Sequence, residues 1–157
     1  MPATPAPPTA LPVVASADVR PAALAGELRV SLTHAVRRLR LERSSERITD
    51  GQYAVLAAIS NRGPMTPTAL AEDQHVQPPP MIRTINALVD AGLVRRDVHP
   101  TDGRQVLVHL TDEGREEVRE TRRRRNAWLA KRLATLSPAE REVLAQASVI
   151  LKTVIAP

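Results

Sequence analysis

The segment from Thr66 to Gly114 is punctuated so densely by caps, breakers and turn residues that few folds can accommodate it. Thr66 followed by Pro67 starts a short helix: the threonine hydroxyl can accept from an unpaired first-turn N–H, and proline fills a position whose N–H has no partner anyway. Leu70 and Ala71 form its buried side. A second short helix is expected from about Pro78 to Ala91, with Met81, Ile85 and Leu88 inward at helical spacing and Gly92 ending it in the left-handed conformation. Leu93 to Val98 and Arg104 to Leu110 alternate in character around His99-Pro100-Thr101-Asp102-Gly103, which predicts a two-stranded hairpin. Thr111 then caps another helix. Two short helices followed by a hairpin make a winged helix-turn-helix pattern, in which one helix can fill the major groove of a duplex while the wing reaches the minor groove.

The flanks are simpler. Residues 1–16 carry five prolines among Ala, Thr and Val and are expected to be a disordered tail. Leu24, Leu28, Leu32, Val36 and Leu39 form one stripe of a long helix ending near Ser44. Thr49 with Gln52 is a capping box that opens the next helix, carrying Tyr53, Leu56 and Ile59 inward and stopping before Gly63-Pro64. Past the hairpin, an arginine-rich helix is expected from about Asp112 to Leu136. Ser137-Pro138-Ala139-Glu140 starts a last helix with Val143, Leu144, Ala147, Ile150, Leu151 and Val154 on one face. The expected division is therefore a tail (1–16), an N-terminal dimerisation helix (17–45), a winged helix-turn-helix region (49–111) and C-terminal dimerisation helices (112–157), a mainly α chain with a small β-hairpin wing. The terminal helices hold more apolar stripe than the central unit can cover, so a second copy around a two-fold axis is the simplest partner.

Composition narrows the function. Lys and Arg number 22 against 17 Asp and Glu, for a net charge of +5, and only Lys131 and Lys152 are lysine. An arginine-rich surface suits phosphate and guanine, so a polyanion is the first partner to consider. Cysteine is absent, which excludes disulfides, thiolate metal sites and thiol-based sensing and makes the cytoplasm the simplest compartment. Tyr53 and Trp128 are too few aromatics to stack single-stranded nucleic acid, which leaves duplex DNA. No apolar run of about 18 residues predicts a membrane span. His34, His75, His99 and His109 lack metal-ligand spacing, and there is no phosphate loop, nucleophile elbow or carboxylate pair on which an enzyme could be built. Neither a metal nor another cofactor is expected.

On the second short helix, Gln77, Pro78, Pro79, Ile82, Arg83 and Asn86 form the outward face. Arg83 can reach guanine O6 and N7 as a fork, or a phosphate if the helix sits shallower, and the amides of Gln77 and Asn86 suit adenine. Pro78-Pro79-Pro80 removes first-turn N–H groups that could otherwise bind phosphate; the rings either touch thymine methyls or rigidify the turn. Arg104, just after the hairpin tip, is placed for a narrow minor groove, with Asp102 bracing it or the turn, and Arg95 and Arg96 at the hairpin base are expected on phosphates. In the arginine-rich helix, Glu116, Glu117 and Glu120 balance part of the run Arg122 to Arg125. Arg122 and Arg125 also fall on the stripe of Val118, Leu129 and Leu133, so one of them could face a cavity near Trp128 and pair with a small aromatic or anionic effector, beside His34, Arg38 and Tyr53.

From Thr49 to Gly114 the chain resembles the MarR family of transcriptional regulators. The resemblance is carried by Thr66-Pro67-Thr68-Ala69-Leu70-Ala71, Ala91-Gly92-Leu93-Val94-Arg95-Arg96, Asp102-Gly103-Arg104 and Leu110-Thr111-Asp112-Glu113-Gly114, in that family's order and spacing. It implies a homodimeric winged-helix protein on a pseudo-palindromic operator, usually a repressor and often released by small phenolic or other lipophilic ligands, with Arg83 and Arg104 at the major- and minor-groove positions. The triple proline, where a serine- or threonine-rich start is more usual, and the missing cysteine depart from that pattern. Two other functions share parts of the sequence signal: a nonspecific architectural DNA binder and a winged-helix protein-interaction module.

Overall fold

Side-chain caps at Thr49, Thr66, Thr111 and Ser137 start helices in the computed structural model, which describes residues 15, 19–42, 47–98 and 103–155. In chain order the elements are α1 (Pro21–Arg40), α2 (Asp50–Arg62), α3 (Pro67–Asp73), α4 (Pro78–Asp90), β1 (Val94–Val98), β2 (Val106–Leu110), α5 (Asp112–Leu133) and α6 (Pro138–Ile155). The chain divides into two units, Arg40–Asn126 and a second made of the residues through Leu39 with those from Ala127 onward. The tail expected over 1–16 lies outside the described residues except Ala15, as does the hairpin tip from His99 to Asp102.

In the Arg40–Asn126 unit, the Thr49 N–H donates to Gln52 Oε1 at 2.7 Å while the Gln52 N–H donates to Thr49 Oγ1 at 3.2 Å, so the capping box is closed in both directions. Thr66 Oγ1 accepts from the Ala69 N–H at 3.2 Å and starts α3. Gly92, at φ 72, ends α4: its N–H donates to the Val89 carbonyl at 2.9 Å and that of Leu93 to the Leu88 carbonyl at 2.9 Å. This paired reversal satisfies two carbonyls of the last turn and aims the chain directly into β1.

β1 and β2 pair antiparallel with Val94 opposite Leu110 and Val98 opposite Val106. Met65 bridges to Val108 as a one-residue third strand, its carbonyl accepting from the Val108 N–H at 2.9 Å. Leu56, Leu70, Ile85, Leu88 and Val108 are fully buried together, so α2, α3, α4 and the hairpin share one core. Thr111 Oγ1 donates to the Gly92 carbonyl at 2.7 Å and accepts from the Gly114 N–H at 3.0 Å, tying the end of α4 to the start of α5.

The other unit holds α1, the end of α5 and α6, and neither α1 nor α6 has a buried residue. Leu24, Leu28, Leu32 and Val36 of the expected stripe are exposed, as are Val143, Leu144, Ile150 and Val154. Both long helices stop earlier than their periodicity implies: α1 at Arg40 rather than near Ser44, and α5 at Leu133 rather than Leu136. For α5 the reason is local. Thr135 and Leu136 donate back three residues to Arg132 and Leu133, a tightened last turn ahead of Ser137, whose hydroxyl accepts from the Glu140 N–H to cap α6.

Candidate nucleic-acid interface

The rotation of α4 about its own axis decides what it can present. With Met81, Ile85 and Leu88 buried, the side chains of Gln77, Pro78, Pro79, Ile82, Arg83 and Asn86 are all exposed, and Ile82 keeps 47% of its surface in solvent. Gln77 stands at the N-cap in extended conformation and makes no side-chain cap bond. With prolines at the first three helical positions, the first N–H inside α4 is that of Met81, which donates to the Gln77 carbonyl at 3.4 Å. The helix start is consequently an apolar surface without amide donors, and an anion there would have to be met by side chains.

The hairpin adds a basic edge. Arg95, Arg96 and Arg104 are exposed, while Asp102 falls outside the described residues. Arg95 pairs with Asp97 two residues along the same strand face. His109, directly across from Arg95 in the register, also approaches Asp97, at 3.4 Å. Burial, and then the neighbouring Arg95, hold the His109 imidazole below its ordinary value of 6.5.

Arg96 reaches back across the Gly92 turn and donates to Asn86 Oδ1. Spacing along either element alone carries no sign of this pair, because a fold in the chain brings the two residues together. Two further contacts in this unit are equally non-local: Arg62 to the nearly buried Asp73 at 2.6 Å, and Arg122 to Asn61 at 2.6 Å.

The six residues considered for an effector fall into separate groups. Tyr53 is buried in the core of the Arg40–Asn126 unit, and the half-buried Arg125 lays its guanidinium over the Tyr53 ring at 4.3 Å, with Nε buried and without a hydrogen-bond partner. Arg122 is exposed, because the inward line of α5 runs through Gly114, Val118 and Thr121 to Arg125 and passes one residue away from it. In the other unit, the Trp128 indole has Arg38 at 4.9 Å and Arg132 at 4.2 Å from its ring, and its buried Nε1 has no partner. His34 is exposed on α1, one turn before Arg38. Arg132 was not signalled by the sequence pattern, although its i,i+4 relation to Trp128 on one helix face places it there. Further along α5, Glu120 accepts from Arg123 and Arg124, and those bonds hold its carboxyl down to about 2.

The sequence model of the MarR family matches residues 48–106, the stretch that builds α2, α3, α4 and most of the hairpin. Over a longer span, an HTH-type transcriptional regulator of Mycobacterium tuberculosis is 42% identical across 134 residues, covering 85% of this chain and 94% of its own. The chain belongs to the MarR family.

Solved structures agree with the fold. RV1404 of Mycobacterium tuberculosis is 32% identical, with a TM-score of 0.72 over 90% of this chain and 95% of its own. Wild-type MarR of Escherichia coli in its apo form is 28% identical, with a TM-score of 0.70 over 85% of this chain and 97% of its own. As a MarR family member the protein is a DNA-binding transcriptional regulator, with α3 and α4 as the helix-turn-helix and β1–β2 as the wing. Among the described residues no helix is long and apolar enough to cross a membrane.

Proposed function

We propose that this MarR family regulator acts in the cytoplasm as a homodimeric repressor on a pseudo-palindromic operator and is released by a small aromatic or anionic effector. Each α4 would enter a major groove through Gln77, Pro78, Pro79, Ile82, Arg83 and Asn86, with Arg83 on guanine. Arg104 would enter the neighbouring minor groove beside Asp102, and Arg95 and Arg96 would fix the register on phosphates. The observation that carries this is the division of α4 into a buried edge of Met81, Ile85 and Leu88 and a fully exposed edge ending in Arg83 and Asn86. A helix whose core-facing side is fixed offers the opposite side in a single orientation, which base reading requires.

Dimerisation is supported by α1 and α6, whose apolar stripes hold no buried residue among the described residues. The effector is supported by polar atoms that are buried and unsatisfied, Trp128 Nε1 and Arg125 Nε, since such groups mark places where an acceptor can bind. The remaining candidates are taken each within its own unit, His34 and Arg38 with Trp128, and Tyr53 and Arg122 with Arg125.

The test is selection of bound fragments from the source genome by purified protein at a stated salt concentration, with sedimentation equilibrium on the same sample. A two-fold-related motif bound by a dimer is expected. A lone protomer, or fragments bound no better than scrambled duplex, would overturn the proposal in favour of a nonspecific binder or a protein-interaction module.

A further inference from the structure

The hydrogen bond between Arg96 and Asn86 has a consequence for base recognition. A guanidinium has only donors, so the amide atom that meets it is necessarily the oxygen, and the Asn86 amide group is turned with Oδ1 towards β1. The one acid of that strand, Asp97, pairs with Arg95, while Arg96 donates to Asn86. The geometry between the two residues is stiff at both ends. Ile85 and Leu88 anchor α4 on either side of Asn86, while the Gly92 reversal and the buried Val94 set where β1 begins. Both side chains are nevertheless exposed, at the surface that faces DNA in the function proposed above.

An asparagine reads adenine with both halves of its amide, the oxygen accepting from N6–H and the nitrogen donating to N7. Here one lone pair of the accepting half is held by a cation. What is offered to a base is the NH2 group and an oxygen with a guanidinium beside it, whose positive charge repels the adenine N6 donor and favours an acceptor. We propose that Arg96 is a positioning residue that sets the base Asn86 reads, so that this contact selects guanine O6/N7 or thymine O4 and discriminates against adenine. This goes against the adenine preference that an asparagine at this position implies by residue type alone. It also gives Arg96 a part in specificity that a phosphate anchor would not have.

The inference rests on α4 reading a major groove, and the experiment separates the two. Duplexes with one randomised half-site are selected at fixed salt by the wild type, Asn86→Ala, Arg96→Ala and Arg96→Lys, and the bound pools are sequenced. The base position that flattens in Asn86→Ala identifies the Asn86 contact. There the wild type is expected to prefer guanine or thymine over adenine by roughly tenfold, and Arg96→Ala to shift that position towards adenine, while the other positions hold. Arg96→Lys, which still donates but lacks the planar fork, should fall between them.

Adenine preferred by the wild type at that position would overturn the inference. So would an Arg96→Ala pool with an unchanged profile and only a uniform loss of affinity, the signature of a phosphate contact. Either result leaves the helix-in-groove function intact. A wild-type pool with no motif at all would remove both.

Discussion

At the scale of single residues, His109 and Trp128 make claims that titrations can check. Burial and Arg95 lower the His109 pKa from 6.5, so the folded protein prefers the neutral imidazole. A group with a depressed folded value leaves stability undiminished above the unfolded pKa. Its loss begins as pH falls through 6.5 and stops once the folded imidazole is itself protonated. Urea midpoints measured from pH 8 downward should therefore fall more in the wild type than in His109→Gln; identical slopes would mean that the imidazole is not desolvated. Trp128 is the only tryptophan, so its fluorescence reports on the proposed effector contact directly. If its indole N–H serves an anionic ligand flanked by Arg38 and Arg132, benzoate should quench the emission saturably, and Arg132→Ala should weaken the apparent affinity about tenfold, as expected for loss of one charge-assisted contact. Equal quenching in the two proteins would exclude Arg132 from the ligand's surroundings. The sequence showed which residue types stood at these places. It did not show their neighbours, because Arg125 on Tyr53 and Arg96 on Asn86 meet through folds of the chain rather than through spacing.

At the scale of elements, the junction of α4, β1 and α5 depends on Gly114. A methyl group there would stand 3.0 Å from the Leu93 carbonyl carbon and closer still to its oxygen, which is backbone and already accepts from the Thr111 N–H at 3.1 Å. Neither rotamer change nor a shift of Leu93 alone relieves the clash, since Leu93 follows the Gly92 reversal directly. Gly114→Ala is expected to lower unfolding free energy by about 3 kcal/mol, at the upper end of ordinary overpacking, by urea denaturation. A loss within the error of the wild-type value would show that α5 can move away without consequence. Helix starts were the most legible part of the chain, because Thr49, Thr66, Thr111 and Ser137 carry their reason for capping in their own side chains. Helix ends were legible only where glycine forced them, at Gly63 and Gly92. At Leu133 no residue type marks the stop, and the apolar stripe on which Arg122 was counted counted hydrophobic letters rather than the line through Gly114, Val118, Thr121 and Arg125 that burial follows.

At the scale of the whole molecule, the question is why so small a recognition surface would suffice. In the proposed function one α4 with its wing would offer a few base contacts, and the duplex charge would supply most of the remaining attraction without regard to sequence. Joining two such surfaces makes the second contact intramolecular and raises affinity for a full operator by about 100- to 10,000-fold over a half-site, with no new side chain at the DNA. In the proposed dimer, the exposed stripe of α6, with Ile150 at 63% and Val154 at 72% of their surface in solvent, is where that joining would be broken. The Arg40–Asn126 unit has its own core and uses no residue of α6, so the double variant Ile150→Asp, Val154→Asp should keep that unit folded. Sedimentation equilibrium should then give the protomer mass, and affinity for the full operator should drop at least about 100-fold to the level of a half-site duplex. The slope of log affinity against log salt should fall by about half, because half the phosphate contacts are made. Half-site affinity itself should match that of the wild type. A double variant that remains dimeric would place the interface elsewhere, and a monomer that binds the full operator undiminished would show that dimerisation plays no part in recognition.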